Sequence, residues 1–219
     1  APAATLKSGG LGIRELRRLA KVTGLTVARV GLLVELLAAQ RLVAIGGSDA
    51  HATLYRMGPI SRRVFGYEHL FHAVNLHLWL PEPWHQDADA DGAMVIDAIV
   101  RGRSFVGYDT LAPTRGFSFT VHDRDVTYLP GDELEGHGAI GLVVESPERA
   151  RLRLLLNGFV VAEAEGTRLE HRSDAPGIYR VEAYRRYAGR ERGWVYTNPI
   201  WVGSADRRRG KTGGGAHHG

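Results

Sequence analysis

Asp49 and His51 stand two residues apart, directly after the apolar run Leu42-Val43-Ala44-Ile45 and the pair Gly46-Gly47. Residues two apart in an extended segment point to the same side, so the carboxylate and the imidazole converge. Both groups ligate divalent metals such as zinc. The apolar run predicts a short buried strand that the glycines end. Open α/β sheets and barrels place their chemistry at the carboxyl ends of such strands. Asp49 and His51 are therefore the first candidates, as metal ligands.

Other groups have weaker patterns. Arg56, Arg62 and Arg63 follow in the next predicted loop, 52–66. Guanidinium groups near a metal site grip a phosphate bidentately, although solvated loop arginines are commoner. His69, His72 and His77 form a second cluster. The first two share a face at i, i+3 if the segment is helical; such pairs serve as metal ligands, but more often they are surface or packing residues. Asp87, Asp89 and Asp91 alternate as in a calcium loop but lack its terminal Glu, so they read as a solvated turn. Gly9-Gly10-Leu11-Gly12 has no following Lys-Ser/Thr and is not a phosphate loop. No catalytic acid, base or nucleophile is identified.

The elements that would position these groups follow from hydrophobic spacing. Ile13, Leu16, Leu19 and Ala20 predict a helix over 12–22, and Val27, Val30, Leu33, Val34 and Leu37 a second one capped by Thr26. Leu70, Phe71, Val74 and Leu78 predict a third over 67–79, and residues 92–101 a fourth, leading through Gly102-Arg103 to a strand at 104–107. After about residue 115 the spacing changes to period two: Phe117, Phe119, Val121; Leu142, Val144; Leu152, Leu154, Leu156; Tyr179, Val181, Ala183; Val195; Ile200, Val202. Pro130-Gly131-Asp132, Asn157-Gly158 and Pro176-Gly177 separate the runs. Asn157-Gly158 is a two-residue hairpin signal, and the whole pattern predicts a small all-β sandwich.

Composition bounds the classes. The 219 residues are 44% hydrophobic, enough for a packed core, and contain no cysteine. This excludes a disulfide framework and a thiolate metal site. Ala1-Pro2-Ala3-Ala4 lacks the pattern of a signal peptide, and no apolar run spans a bilayer. A cytoplasmic protein without membrane contact is expected. Of the net charge of +4, residues 204–219 carry +3, as Arg207, Arg208, Arg209 and Lys211 against Asp206. That Gly-rich end reads as a disordered basic tail, so the basic pI is not a nucleic-acid footprint.

The segment Leu42–His51 resembles the last metal-binding motif of the PHP (polymerase and histidinol phosphatase) family. Ala98-Ile99-Val100-Arg101-Gly102-Arg103-Ser104-Phe105-Val106 is similar to the helix, R-G-R and strand that end its barrel. Pro130-Gly131-Asp132, Leu156-Asn157-Gly158, Gly177-Ile178-Tyr179-Arg180-Val181-Glu182 and Tyr196-Thr197-Asn198-Pro199-Ile200 resemble the β-sandwich that follows it in many members. The resemblance covers roughly 32–203. It implies hydrolysis of phosphate esters by divalent ions, zinc, manganese or iron. Family ligands come from an early His-x-His, from middle Glu and His residues and from a final Asp-x-His. Only the last matches, at Asp49 and His51; residues 1–45 contain no histidine.

The expected architecture is thus α/β plus all-β. It comprises the C-terminal part of an irregular (β/α) barrel of PHP type over 1–112, a β-sandwich over 113–203 and a disordered tail over 204–219. The expected partners are a phosphorylated small molecule or a phosphodiester, with self-association or a partner chain completing the barrel. Two other classes compete. Residues 12–58 also read as a winged helix-turn-helix with Leu42–Ile45 and Leu54-Tyr55-Arg56 as its wing, but Arg29 is the only strong phosphate or base partner on its recognition surface. The third class is a non-catalytic interaction module built on the β-sandwich.

Overall fold

The alternation that begins near Phe117 becomes, in the computed structural model, a series of long strands. The structure describes residues 42–48, 50, 54–63, 66–135 and 138–203. In chain order the elements are β1 (Leu54–Met57), β2 (Ile60–Arg63), α1 (Tyr67–Phe71), β3 (Val74–Leu78), α2 (Ala88–Arg101), β4 (Ser104–Tyr108), β5 (Ser118–Asp123), β6 (Val126–Tyr128) and β7 (Glu133–Leu134). There follow β8 (Ile140–Leu156), β9 (Phe159–Ser173), β10 (Gly177–Tyr187), β11 (Arg190–Thr197) and β12 (Ile200–Val202).

Strands β3 to β12 form one ten-stranded sheet with the path β3-β4-β11-β10-β8-β5-β6. Every pairing in it is antiparallel except β7 with β12. The expected partial (β/α) barrel followed by a separate sandwich is therefore wrong. The sheet is a single curled half-barrel. It runs straight across residue 112, because β4 pairs with β11 through Phe105↔Thr197, Val106↔Tyr196 and Gly107↔Val195.

The curl has a local cause. One edge of β8 carries β9 along almost its whole length. Its other edge is shared: residues 141–145 pair with β5 and residues 151–156 with β10. The break falls at Ser146–Arg149, where the β8–β9 register also shifts. Pro147 lies there, and a proline without an N–H interrupts a ladder. With two neighbours sharing one edge of β8 on either side of this break, the sheet is free to curl around a core.

That core is the inward face of the alternation. Phe119↔Val144, Val121↔Leu142, Leu154↔Val181 and Leu152↔Ala183 are directly opposed pairs. All eight side chains are buried, with Phe117, Tyr179, Trp194 and Ile200 beside them. Each such aliphatic or aromatic side chain contributes about 1.5–3 kcal/mol on burial. Trp194 keeps its indole N–H satisfied by donating to the Ala112 carbonyl at 2.9 Å.

The Asn157-Gly158 hairpin is found as expected. Both residues have positive φ, 50° and 86°, as a type I′ turn requires. The Asn157 side chain also accepts from Ile178 N at 2.9 Å, tying the turn to β10. Asn157→Ala loses that bond and puts a Cβ-bearing residue without a helpful side chain at positive φ. It is expected to cost about 1–2 kcal/mol, read as a lower urea midpoint at unchanged slope.

Two local expectations need correction. The helix over 67–79 is a single turn, α1, followed by β3. The spacing of Leu70, Phe71, Val74 and Leu78 fits a helix, but Val74, Leu76 and Leu78 alternate with Asn75 and His77, and pairing with β4 decides for the strand. A five-residue helix with no buried residue has too little packing to extend itself. The loop over 52–66 contains a hairpin, β1–β2, which forms its own two-stranded sheet. Leu54–Met57 pairs with Ile60–Arg63. The helices predicted over 12–22 and from Thr26, and the tail 204–219, lie outside the described residues.

Candidate functional site

Helix α2 begins at Asp87, whose carboxylate accepts from Asp89 N and Ala90 N, both at 3.0 Å. Asp89 and Asp91 lie in its first turn. The alternating acids are thus a helix cap with favourable charges near the positive end of the dipole. Asp91 also accepts from the backbone and ring of His85. Hydrogen bonds to Glu82 and Asp91 hold the His85 imidazole above its ordinary range.

The other end of α2 stops at Gly102 in the left-handed conformation, φ 77°. Four segments meet there. Val43 lies so close that a Cβ on Gly102 would be 3.0 Å from it. Asn198 binds both backbone groups of Ala44: its Oδ1 accepts from Ala44 N at 2.8 Å and its Nδ2 donates to Ala44 O at 3.0 Å. The same Nδ2 donates to Ser104 Oγ at 2.8 Å, and Asn198 N donates to Ser104 O. Arg103 donates to Asp132 at 2.8 Å, and Asp132 in turn accepts from Leu129 N. Gly131 N donates to Pro199 O at 2.8 Å. One amide side chain therefore does for the 42–48 segment what a neighbouring strand would do, and holds it five residues before Asp49.

Asp49 and His51 themselves lie outside the described residues. Arg56 is exposed in β1 opposite Ser61, and Arg62 and Arg63 pair by backbone with Tyr55 and Leu54. Among the described residues, no three His, Asp or Glu side chains stand close enough to hold a metal ion. The motif's own donors, one carboxylate and one imidazole, suit zinc, manganese or iron.

A second constellation lies at the far end of β4, where residues 109–115 leave the sheet. Asp109 is cradled. Its Oδ1 accepts from Thr114 N at 2.9 Å and from Thr114 Oγ1 at 2.6 Å; its Oδ2 accepts from Asn75 Nδ2 at 2.7 Å. His77 Nε2 lies 2.8 Å from Asp109 Oδ2 and 2.9 Å from Thr114 Oγ1. The Thr114 proton is given to Asp109, so its oxygen accepts, and His77 carries its proton on Nε2. Burial works to raise the Asp109 pKa, but the hydrogen bonds from Thr114, Asn75 and His77 outweigh it and hold the carboxyl below its usual range. The His77 ring is stacked on Phe105, centroids 4.7 Å apart and planes 5° from parallel.

Acid, imidazole and hydroxyl together suggest a nucleophilic triad, but the connections are wrong for one. In a triad the acid and the nucleophile engage different ring nitrogens; here both meet Nε2, and the hydroxyl donates to the acid. The cluster is a rigid floor. Over it opens a groove of about 720 Å³ lined by Glu68, His69, His72 and Arg115 as well as by His77 and Asp109. His69, His72 and His77, one cluster by their spacing, all line this groove. Asp109, Thr114, Asn75 and Arg115 were not anticipated; the signal available was an Asp at the end of an apolar strand, the same kind of signal that singled out Asp49. Asn198 was noted only as part of a resemblance. Compared with protein families, curated proteins and solved structures, the chain matches none of them.

Proposed function

We propose that this chain serves metal-dependent hydrolysis of phosphate esters, the chemistry of the PHP family, with Asp49 and His51 as two of the metal ligands. What supports the reading is the meeting point at Gly102. The apolar run before Asp49, the Arg101-Gly102-Arg103 turn, Pro130-Gly131-Asp132 and Thr197-Asn198-Pro199 are far apart in sequence, and each alone is a weak signal. They touch one another through Asn198, Gly131 and the Arg103–Asp132 pair. A bound divalent ion would supply hydroxide at neutral pH and neutralise charge on the phosphoryl oxygens. Asn198 holds the 42–48 segment, which leads into the two proposed ligands. Arg56, Arg62 and Arg63, on the next hairpin, are the groups proposed to grip the phosphate of a phosphorylated small molecule or phosphodiester. Catalytic zinc sites usually take three protein ligands, so the reading requires at least one ligand besides Asp49 and His51. The absence of cysteine supports a cytoplasmic setting. Among the described residues no helix is long and apolar enough to cross a membrane.

The test is metal content by elemental mass spectrometry. The sample is the chain trimmed of residues 204–219, which removes the imidazoles of His217 and His218 as competing metal ligands. Near-stoichiometric zinc, manganese or iron is expected, at least ~10-fold lower in Asp49→Ala/His51→Ala, together with loss of phosphomonoester or phosphodiester hydrolysis. Equal metal in both proteins, or none in either, would sink the reading. The interaction-module class would then lead, favoured by the exposed run Phe159, Val160 and Val161 at the β8–β9 turn.

A further inference from the structure

We propose that His85 is a proton-operated clamp: as an imidazolium it ties the connection between β3 and α2 to the first turn of α2, and on losing its proton it lets that connection go. The inference does not rest on the metal reading, because it uses neither Asp49 nor His51. Histidine is the side chain whose ordinary charge change falls near neutral pH.

The geometry requires the charged ring. His85 Nε2 lies 2.9 Å from Glu82 Oε2, and Nδ1 lies 3.1 Å from Asp91 Oδ1. An ionised carboxylate only accepts hydrogen bonds, and a neutral imidazole carries one N–H. Both contacts are therefore hydrogen bonds only when both ring nitrogens are protonated. In the neutral ring one nitrogen turns a lone pair toward a carboxylate oxygen. Glu82, from the connection itself, and Asp91, from α2, are the charged groups that meet the ring among the described residues. Both are acidic and favour the proton, Glu82 most. The Asp91 carboxyl is held below its usual range, chiefly by the His85 backbone N–H, so it stays ionised while the histidine titrates. The ring is 44% exposed, and its proton exchanges directly with water.

The clamped segment has little packing of its own. Residues 81–90 are all exposed. At one end Trp79 N donates to Arg103 O, continuing the β3–β4 ladder. At the other, Asp87 caps α2. Pro81 and Pro83, between these ends, have no N–H to give. Gln86 sits at φ 63°, a conformation that residues with a Cβ rarely adopt. It lies between His85 and Asp87, and such a conformation persists where its neighbours are anchored. The His85 backbone N–H also donates to Asp91, at 2.9 Å; this bond does not titrate, and the ring contacts are the part that does. Trp84, 62% exposed, rides beside the clamp, so the proton decides whether a large apolar side chain is held in one place on the surface.

The test is a titration of the full chain from about pH 5 to about pH 9, followed in histidine-ring 1H–13C spectra and in 1H–15N spectra. His85→Gln assigns the ring signal. Its midpoint is expected above the ordinary value of about 6.5. The amides of residues 82–91 and the Trp84 indole should shift with the same midpoint. Protection of the His85 amide against hydrogen exchange should fall at least ~3-fold above it, once intrinsic rates are divided out. Glu82→Gln and Asp91→Asn should each lower the midpoint, and so should salt at about 1 M, where charges are screened within about 3 Å. His85→Gln should abolish the transition in the amides, and His122→Gln, in β5, should leave it unchanged. Thermal midpoints of each variant report whether the fold is intact. A His85 midpoint at or below the ordinary value, a midpoint unmoved by Glu82→Gln, or a ring that titrates with no transition in residues 82–91 would overturn the proposal.

Discussion

Gly131→Ala is expected to destabilise the protein by about 3 kcal/mol or more. Two independent costs act at this position. Its φ is 93°, a conformation that L side chains rarely adopt. A Cβ there would lie 2.2 Å from the Arg101 carbonyl oxygen and 2.9 Å from its carbon, and the obstacle is backbone rather than the end of a flexible side chain. Relief requires the 129–132 turn to move away from the end of α2. That movement breaks the Gly131 N–H bond to Pro199 and the Arg103–Asp132 pair. Thermal unfolding should show a midpoint lower by roughly 6–12 °C, taking about 2–4 °C per kcal/mol for a domain of this size. Gly166→Ala is the control: nothing lies within 4 Å of its Cβ, and a change within about 0.5 kcal/mol is expected. Equal midpoints for Gly131→Ala and wild type would mean that the turn does not press on α2, and the junction would lose its structural role.

The same junction shows what the sequence could and could not reveal. The inward residues of β5, β8 and β10 were legible because period-two alternation is a local property: Val121, Leu142, Leu154 and Val181 all prove buried. The hairpin at Asn157-Gly158 was legible because positive φ selects those residue types. The architecture was not. Whether strands close into a barrel, stack as a sandwich or curl as one sheet depends on which edges pair. That is decided by non-local contacts such as β4 with β11, ninety residues apart in sequence, and by the interruption of β8 at Ser146–Arg149. His77 was placed on a helix because Val74 and Leu78 fit a four-residue spacing; its pairing opposite Phe105 decides otherwise. Asn198 bonds Ala44 across 154 positions, and no periodicity points to such a tie. Asp109 escaped for a related reason. Its partners Asn75 and His77 come from β3, and only the β3–β4 pairing brings them within reach.

Asp109→Ala should be the second large loss, about 2–4 kcal/mol at neutral pH. The carboxylate is the shared acceptor for the Thr114 N–H, the Thr114 hydroxyl, Asn75 and His77. Removing it leaves those donors facing a hole. Water reaches the groove side, where His77 and Asp109 are about a quarter and a fifth exposed. It does not reach the fully buried Thr114, so at least one donor stays unpaired. Asp109→Asn keeps the shape but turns an NH₂ toward donors, and should recover only part of the loss. The pH dependence gives the sign. The folded-state pKa of Asp109 is depressed, so its contribution is fully present above the unfolded value of about 3.9. It is lost as pH falls through the lower folded value. Urea unfolding of wild type and Asp109→Asn should therefore show a stability gap that narrows as pH falls below about 4. A gap of the same size at pH 3 would mean that the charge of Asp109 is immaterial. The cluster would then be held by packing of the Thr114 loop against β4 at Gly107.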